Sequence, residues 1–201
     1  MKLYYAPRTR AYPILWALEE LGLPYDLEVL DLKAGAQQSE TFKAVNGMMK
    51  VPALVEGDEV VSETGAILLH LADRAGGSSL IPAIGEAGRP TCLRWLFFVG
   101  SNFEPAMAER FSGYTPSPYT NGWGDFDRVR SVVEQALASG PWLLGSRFTV
   151  ADLYLVADLR IAVMSKLIDG AQEPFASYLA RAEAREAFQR AQSIDDAHAA
   201  M

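Results

Sequence analysis

The sequence has few of the residues that build disulfide bonds and metal centres. It contains one cysteine, Cys92, and two histidines, His70 and His198, among 201 residues. A single thiol cannot form an intramolecular disulfide, and so few thiols and imidazoles argue against a zinc site made from several of them. We therefore expect no metal centre, and the lone thiol fits a reducing compartment.

Positive charge and long apolar runs are also scarce. Lys and Arg number 18 against 25 Asp and Glu, so the formal net charge is −7. Such a surface repels a phosphate backbone, which makes nucleic acid a poor partner. No segment approaches the roughly 20 apolar residues that cross a bilayer, and residues 1–5 do not resemble a signal peptide. We expect a cytoplasmic protein with no membrane partner.

The first eighty residues alternate strand and helix patterns. Apolar alternation predicts strands at 3–5, 25–32, 51–55 and 59–61, and helical spacing predicts helices at 12–21, 40–45 and 63–75. The turn at 56–58 makes the last two strands a hairpin, and the glycine pair at 76–77 closes the third helix. The order β-α-β, connecting helix, β-β-α predicts one mixed four-stranded sheet with helices on its faces.

The rest of the chain shows only helical patterns, which predict helices at 90–111, 125–139, 150–168 and 174–192. Residues 78–88 are rich in Gly, Pro and Ser and are interpreted as a linker between a domain at 1–77 and an all-α domain at 89–201. Residues 112–124 interrupt the helical pattern; a loop of this length is often functional, although a simple connector is an equal alternative. Fraying is predicted for residues 195–201.

Three stretches together carry a family resemblance. They are Tyr5-Ala6-Pro7-Arg8-Thr9-Arg10 leading into the stretch from Trp16 to Tyr25, Lys50-Val51-Pro52 followed by Ser62-Glu63-Thr64, and Phe148-Thr149-Val150-Ala151-Asp152. In this order and spacing the chain resembles the cytosolic glutathione transferase superfamily, of bacterial type, over essentially its whole length. The resemblance implies a thioredoxin-like N-terminal domain, an all-α C-terminal domain, glutathione as co-substrate, a homodimer and a role in detoxification.

The resemblance places glutathione at two motifs of the first domain. Val51-Pro52 matches the family's cis-proline, which leaves the Val51 backbone free to pair with the cysteinyl backbone of glutathione. Thr64 would hold the γ-glutamyl carboxylate at a helix N-terminus, and Glu63 would face the ammonium group. The alternative for this second motif is plain helix capping, which is compatible with binding.

The glycine end of glutathione has weaker candidates. Lys50 is the first choice, and Lys33 and Gln38 follow, although a solvated loop is the favoured alternative for the latter two. The family usually shows Asn-Pro-x-Gly before the Lys-Val-Pro unit. Here the segment is Asn46-Gly47-Met48-Met49, so the geometry of this loop is an open question.

The catalytic position lies in the loop after the first strand. Related classes place a Tyr, Ser or Cys there to stabilise the glutathione thiolate, which is the nucleophile. This loop offers Thr9 as hydroxyl donor, Arg10 as a source of positive potential, and Tyr5 as the reserve donor. The alternative for Thr9 is a turn or cap residue, and the alternative for Arg10 is an ordinary surface charge.

The second-substrate pocket is assigned to the helical domain. Phe98, Asn102 and Phe103 are its candidate walls, with Tyr114 above them, and an aromatic pocket would admit apolar electrophiles. A core role is the stronger alternative for Phe98. Thr149 to Asp152 form a capping box with a structural role.

The function implied is transfer of an alkyl or aryl group to glutathione, by attack of its thiolate on an apolar electrophile. Two alternatives stay open: a glutathione-dependent disulfide reductase or isomerase, and a non-catalytic binding protein of the same fold.

Overall fold

The computed structural model describes residues 1–75, 80–115, 117 and 119–200. The chain divides into two compact units, one formed by Met1–Gly76 with Arg185–Met201 and the other by Gly77–Ala184. Two assignments made from the sequence, the glycine pair that closes the third helix and the first two residues of the 78–88 linker, lie outside the described residues. Among the described residues, no helix is long and apolar enough to span a membrane.

The first unit contains a mixed four-stranded sheet, as the sequence indicates. Its strands are β1 (Lys2–Tyr5), β2 (Asp26–Val29), β3 (Ala53–Glu56) and β4 (Glu59–Ser62), in the order β2-β1-β3-β4. β1 and β2 run parallel, and the other two pairs are antiparallel.

β2 is shorter than predicted. Its strand pattern was expected to continue through Leu32, with Asp31 on one face, but the strand ends at Val29. The Asp31 carboxylate accepts the backbone N–H groups of Lys33 and Ala34, at 2.9 and 3.0 Å. Such a side-chain turn competes with the sheet ladder and turns the chain away from it.

The helices of the first unit are α1 (Tyr12–Leu21), α2 (Glu40–Val45), α3 (Thr64–Arg74) and α9 (Glu186–Ala199), with a 3₁₀ turn at Ala36–Gln38. α1 is the central one: its residues from Tyr12 to Leu18 are all buried, and it packs against α3 and α9. It ends at Gly22, whose φ of 61° is the left-handed conformation that glycine adopts without a steric penalty.

The second unit is helical throughout its named elements. These are α4 (Arg89–Phe98), a π-helical turn (Val99–Phe103), α5 (Glu104–Ser112), α6 (Phe126–Ala138), α7 (Val150–Met164) and α8 (Phe175–Glu183). α7 is the core helix, with every residue from Val150 to Leu159 buried. An element that is apolar on all sides needs neighbours on all sides, and α4 and α8 pack against it.

The end of the chain differs most from the sequence analysis. One helix was expected at 174–192, followed by frayed residues, within a second domain at 89–201. The structure instead breaks this segment at Ala184 and Arg185 and places α9 in the first unit. The reason is an apolar face on α9, where the Phe188 ring packs edge-on against Trp16 and Tyr12, with centroids 5.0 and 5.9 Å away.

Candidate functional site

The strand register brings the motifs of the first unit to one edge of the sheet. Tyr4 of β1 lies opposite Ala53 of β3, which lies opposite Ser62 of β4. One residue beyond this row, β1 passes into the loop at 6–11, β3 is preceded by Val51-Pro52, and β4 passes into Glu63 and Thr64. We call this end of the sheet the motif edge. Three segments that are far apart in sequence therefore meet there.

The Val51–Pro52 peptide bond is cis, as the motif indicated. Val51 is half-buried and precedes β3, so it lies outside the paired residues of the sheet. Pro52 is buried. The backbone of Val51 is thus presented at the motif edge, where a bound chain can pair with it as an added strand.

Glu63 and Thr64 form the N-terminus of α3. Glu63 is the N-cap residue, is exposed, has a φ of 70° and makes no side-chain capping bond. Thr64 is buried, and its Oγ1 lies 3.5 Å from the carbonyl oxygen of Arg10. This contact joins the α3 N-terminus to the loop after β1. The first N–H groups of α3 receive no bond from the Glu63 side chain, so they are available to an anion.

Thr9 holds a turn in the loop after β1. Its Oγ1 donates to the Ala6 carbonyl at 2.6 Å and accepts the Ala11 N–H at 3.2 Å. These two bonds order the entry into α1. A Thr9 hydroxyl that donated to a ligand would have to rotate away from Ala6, since a hydroxyl carries one hydrogen.

Tyr5 does not present its hydroxyl to a ligand. The side chain is fully buried, and its hydroxyl donates to Oδ1 of Asp195 on α9. Burial, and then the hydrogen bond with Asp195, raise the pKa of Tyr5 above its ordinary value. The reserve role given to Tyr5 is therefore corrected: alternation along β1 puts Leu3 and Tyr5 on the core face, where the hydroxyl has an internal acceptor.

Lys50 is exposed at the motif edge, and the loop before it is held by Asn46. The Asn46 side chain donates to the Lys50 carbonyl at 2.8 Å and accepts the Met48 N–H at 3.0 Å. Met49 takes a φ of 54°, at the position where the family usually has glycine. The departure from the family pattern thus leaves the loop ordered, with Met49 in a left-handed conformation that a side chain disfavours.

Lys33 and Gln38 are both exposed, in the segment between β2 and α2. This segment leaves β2 at the motif edge, because β2 runs parallel to β1 and the Leu30 N–H donates to the Tyr5 carbonyl at 2.8 Å. The two side chains stay candidates for the glycine end of glutathione.

The residues assigned to the second-substrate pocket have different surroundings within the helical unit. Phe103 is fully buried, so it is a core residue, not a pocket wall. Asn102 donates to Ser101 Oγ at 3.1 Å, Phe98 packs edge-on against Trp95 with centroids 5.1 Å apart, and Tyr114 is exposed. Phe103 is the last residue of the π-helical turn, and the wider turn gives its side chain a different facing from that in a regular α-helix.

The sequence analysis missed Asp195. Four positions of α9, Ala187, Phe188, Ala191 and Asp195, are buried and share one helix face. A carboxylate at the end of an apolar stripe is a signal that the sequence carries, because a buried acid needs a partner. Fraying was predicted there instead.

The described part of the chain does not bring together a set of side chains that could hold a metal ion. No group of three or more His, Cys, Asp or Glu side chains that could hold an ion comes together there. The thiol of Cys92 is buried in the second unit, and burial raises its pKa.

The fold and the motif edge define a family, and comparison with known proteins agrees. The family model for the glutathione S-transferase N-terminal domain matches residues 1–73. The chain belongs to the glutathione transferase superfamily, with a thioredoxin-like first domain and a helical region after it.

The relatives are named for different activities. The chain is 29% identical over 198 residues to glutathione S-transferase GstA of Escherichia coli O157:H7, covering 97% of this chain and 98% of that protein. It is 30% identical over 164 residues to the disulfide-bond oxidoreductase YfcG of Escherichia coli K12, covering 75% of each. The structure is similar to that of a sphingomonad glutathione S-transferase complexed with glutathione, with a TM-score of 0.82, 28% identity, and coverage of 98% of this chain and 99% of that one.

Proposed function

We propose that this chain is a glutathione transferase that ionises the thiol of bound glutathione for attack on an apolar electrophile. The observation that carries the proposal is the meeting of a cis Val51–Pro52 bond, an α3 N-terminus without a side-chain cap, and the loop after β1 at one edge of the sheet. A relative of the same length is named a glutathione S-transferase, and a similar structure holds glutathione.

The motif edge offers a partner for each part of the tripeptide. The Val51 backbone pairs with the cysteinyl backbone, as an added strand does. The N–H groups of α3 and the Thr64 hydroxyl receive the γ-glutamyl carboxylate, while the exposed Glu63 carboxylate faces its ammonium group. Lys50 supplies a positive charge for the glycine carboxylate, with Lys33 and Gln38 as further candidates.

This placement directs the sulfur to the loop after β1. Hydrogen-bond donors and positive potential lower the pKa of a thiol, and the thiolate is the species that attacks. We assign the donor role to the Thr9 hydroxyl after rotation away from the Ala6 carbonyl, and the supporting positive charge to Arg10. The thiolate then forms a bond to the electrophilic carbon while a leaving group such as halide departs with the bonding electron pair.

The first test measures binding and selectivity. Calorimetry with glutathione should give binding at millimolar ligand or below. The α-linked isomer of the tripeptide should bind more weakly, because its head group cannot place both charges at Glu63 and Thr64. Absence of binding by glutathione would contradict the proposal and favour a non-catalytic protein of the same fold.

The second test addresses thiol activation. Thr9→Val keeps the shape of the side chain and removes its hydroxyl, so the pKa of bound glutathione should rise while its affinity changes little. The thiolate absorbance of the complex, followed against pH, measures this. An unchanged pKa would limit Thr9 to its turn.

A second candidate function is disulfide reduction, which the 30% identity to a disulfide-bond oxidoreductase favours. The loop after β1 has no cysteine, so such a reaction would use two glutathione molecules: one thiolate attacks the disulfide and the second resolves the mixed disulfide. Rates with an aryl halide and with a mixed glutathione disulfide separate the two functions. We also propose a homodimer, which sedimentation at several concentrations tests.

A further inference from the structure

Asp195 of α9 binds the segment that leads into the candidate catalytic loop at three points. Its carboxylate accepts the Tyr5 hydroxyl, accepts the Arg8 N–H at 3.0 Å, and pairs with the Arg8 guanidinium Nε at 3.1 Å. The side chain is only 2% exposed. Asp196 adds a fourth, exposed contact from the same helix, 2.6 Å from Nη2 of Arg8.

The backbone contact falls at a conformation that needs support. Arg8 has a φ of 59°, which a residue with a side chain adopts only at a steric cost. The bond from its N–H to Asp195, and the pairing of its guanidinium, favour this conformation over the extended alternatives. The next residue is Thr9, whose turn opens α1.

Nothing within α9 itself favours a carboxylate at position 195. Asp195 lies near the C-terminal end of the helix, where the helix dipole disfavours negative charge. It also lies on the buried face of α9, where an unpaired carboxylate would be strongly destabilising. Both penalties are offset by the bonds from Tyr5 and Arg8, so the function of this carboxylate lies in the loop after β1.

We propose that Asp195 is a positioning residue, which fixes the Arg8 backbone and thereby holds Thr9 and Arg10 where they ionise the bound thiol. This inference rests on the proposed function. Helix α9 then belongs to the catalytic apparatus, although it comes more than a hundred residues after the sheet. The rival explanation is that Asp195 only anchors α9 to the rest of the first unit.

The first unit contains a second ion pair that serves as a matched control for the anchoring explanation. Arg185, just before α9, pairs with Glu20 of α1 through two bonds of 2.6 and 2.7 Å, and the Glu20 side chain is 8% exposed. This pair also anchors the α9 segment to α1 through a nearly buried carboxylate, but it does not touch the loop. Glu20→Gln therefore removes anchoring charge without removing positioning.

The direction of the effect separates positioning from simple electrostatics. Asp195→Asn removes a negative charge near the loop, and by Coulomb's law alone this would lower the pKa of a nearby thiol. Loss of positioning acts the other way, because misplaced donors stabilise the thiolate less. A rise in the thiol pKa is thus the signature of the proposal.

The experiment uses the full chain and measures glutathione affinity by calorimetry, the thiol pKa by thiolate absorbance, and melting temperature. For Asp195→Asn we expect a rise of about half a pKa unit or more with less than about a threefold change in affinity, that is, under about 0.7 kcal/mol. Tyr5→Phe, which keeps the carboxylate and both Arg8 contacts, should give a smaller rise. Glu20→Gln should lower the melting temperature and leave the thiol pKa unchanged.

Each outcome decides something. An unchanged or lowered thiol pKa in Asp195→Asn, with normal wild-type binding, overturns the positioning role and leaves the proposed function standing. An equal rise in Glu20→Gln also overturns it, in favour of anchoring. If Asp195→Asn does not fold, Tyr5→Phe decides in its place: a smaller but measurable rise in the thiol pKa supports the positioning role, and an unchanged or lowered pKa overturns it. Failure of the wild type to bind glutathione removes the proposed function and this inference together.

Discussion

The N-termini of α3 and α7 differ in whether side chains of the helix start cap them. At α7, Asp152 reaches back to the Thr149 N–H at 2.9 Å and also accepts the Leu143 N–H at 2.7 Å and the Tyr178 hydroxyl at 3.0 Å. At α3, Glu63 is exposed and caps nothing. A helix start that is completed by its own side chains stabilises the fold, whereas one that is left open can receive a ligand.

The backbone conformation also differs between the two regions. Thr149 has an extended φ of −138°, which any residue adopts. Glu63, Met49 and Arg8 around the motif edge have positive φ values of 70°, 54° and 59°. Non-glycine residues in this region concentrate at functional sites, because the surrounding structure must compensate for their strain. The contrast predicts that removing Asp152 lowers the stability of the protein, whereas removing Glu63 weakens glutathione binding.

The largest effect is expected for Asp152→Ala. The substitution leaves the buried Thr149 N–H and the partly buried Leu143 N–H without their acceptor, so the free energy of unfolding should fall by about 3–5 kcal/mol. Chemical denaturation measures this. Asp127→Ala is the control, since that aspartate lies in the first turn of α6, is exposed, and makes a surface pair with Arg110. A loss similar to that of the control would refute the structural role of Asp152.

The next largest effect is expected at the start of α3, where the substitutions should change glutathione binding. Glu63→Ala and Thr64→Ala should each weaken glutathione binding by roughly 1–3 kcal/mol, the value of a charge-assisted partner, and Glu63→Ala should leave stability nearly unchanged. Calorimetry and melting curves measure the two quantities. Glu59→Ala removes an exposed charge from the opposite end of β4 and should not affect binding. Full affinity in both motif variants would remove the head-group assignment.

A pH test sharpens the description of Asp152. Burial raises the pKa of Asp152 to about 6 from 3.8, so the folded chain binds this proton more tightly than the unfolded chain. The stability that this proton adds is complete at pH values below the pKa of Asp152 in the unfolded chain, and it is lost as pH rises through about 6. Linkage then makes the stability advantage of wild type over Asp152→Ala larger near pH 5 than near pH 7, by about 1 kcal/mol. Equal advantages at both values would show an ordinary pKa.

The smallest effect concerns the loop before Lys50. Met49→Gly should raise the free energy of unfolding by about 0.5–1 kcal/mol, because glycine takes the left-handed conformation without steric penalty. Met48→Gly is the control; Met48 is exposed and has no positive φ, so only the entropy loss of glycine remains and stability should fall. Denaturation curves that show both variants destabilised would indicate that packing of Met49 outweighs its strain.

Local patterns predicted much of the first unit. The bounds of α1 at Tyr12 and Leu21 and those of α2 at Glu40 and Val45 agree with the structure, because capping, Gly22 and apolar spacing are encoded in neighbouring residues. The capping box at Thr149 followed from a motif of a few residues, and the cis bond before Pro52 was implied by the family resemblance.

The failures have two physical causes, remote contacts between elements and an irregular helix. Tyr5 and Asp195 are 190 positions apart, and Phe188 is likewise remote from Trp16, so no local pattern reveals which element covers which. Phe103 ends a π-helical turn, whose facing differs from that of a regular helix with 3.6 residues per turn, so local spacing could not show that its side chain is buried. Sequence periodicity describes one element at a time, and these features depend on two elements or on an irregular one.

The inclusion of α9 in the first unit has a consequence for biosynthesis. Ribosomes extend a chain from its N-terminus, and early domains commonly fold before later ones emerge. Here the sheet and α1 are synthesised first, but the partner of Trp16 is Phe188, which is translated only after the entire second unit. The first unit therefore cannot complete its core during translation of the helical unit, and a nascent chain arrested before Arg185 leaves Trp16 and Tyr5 open to chaperones.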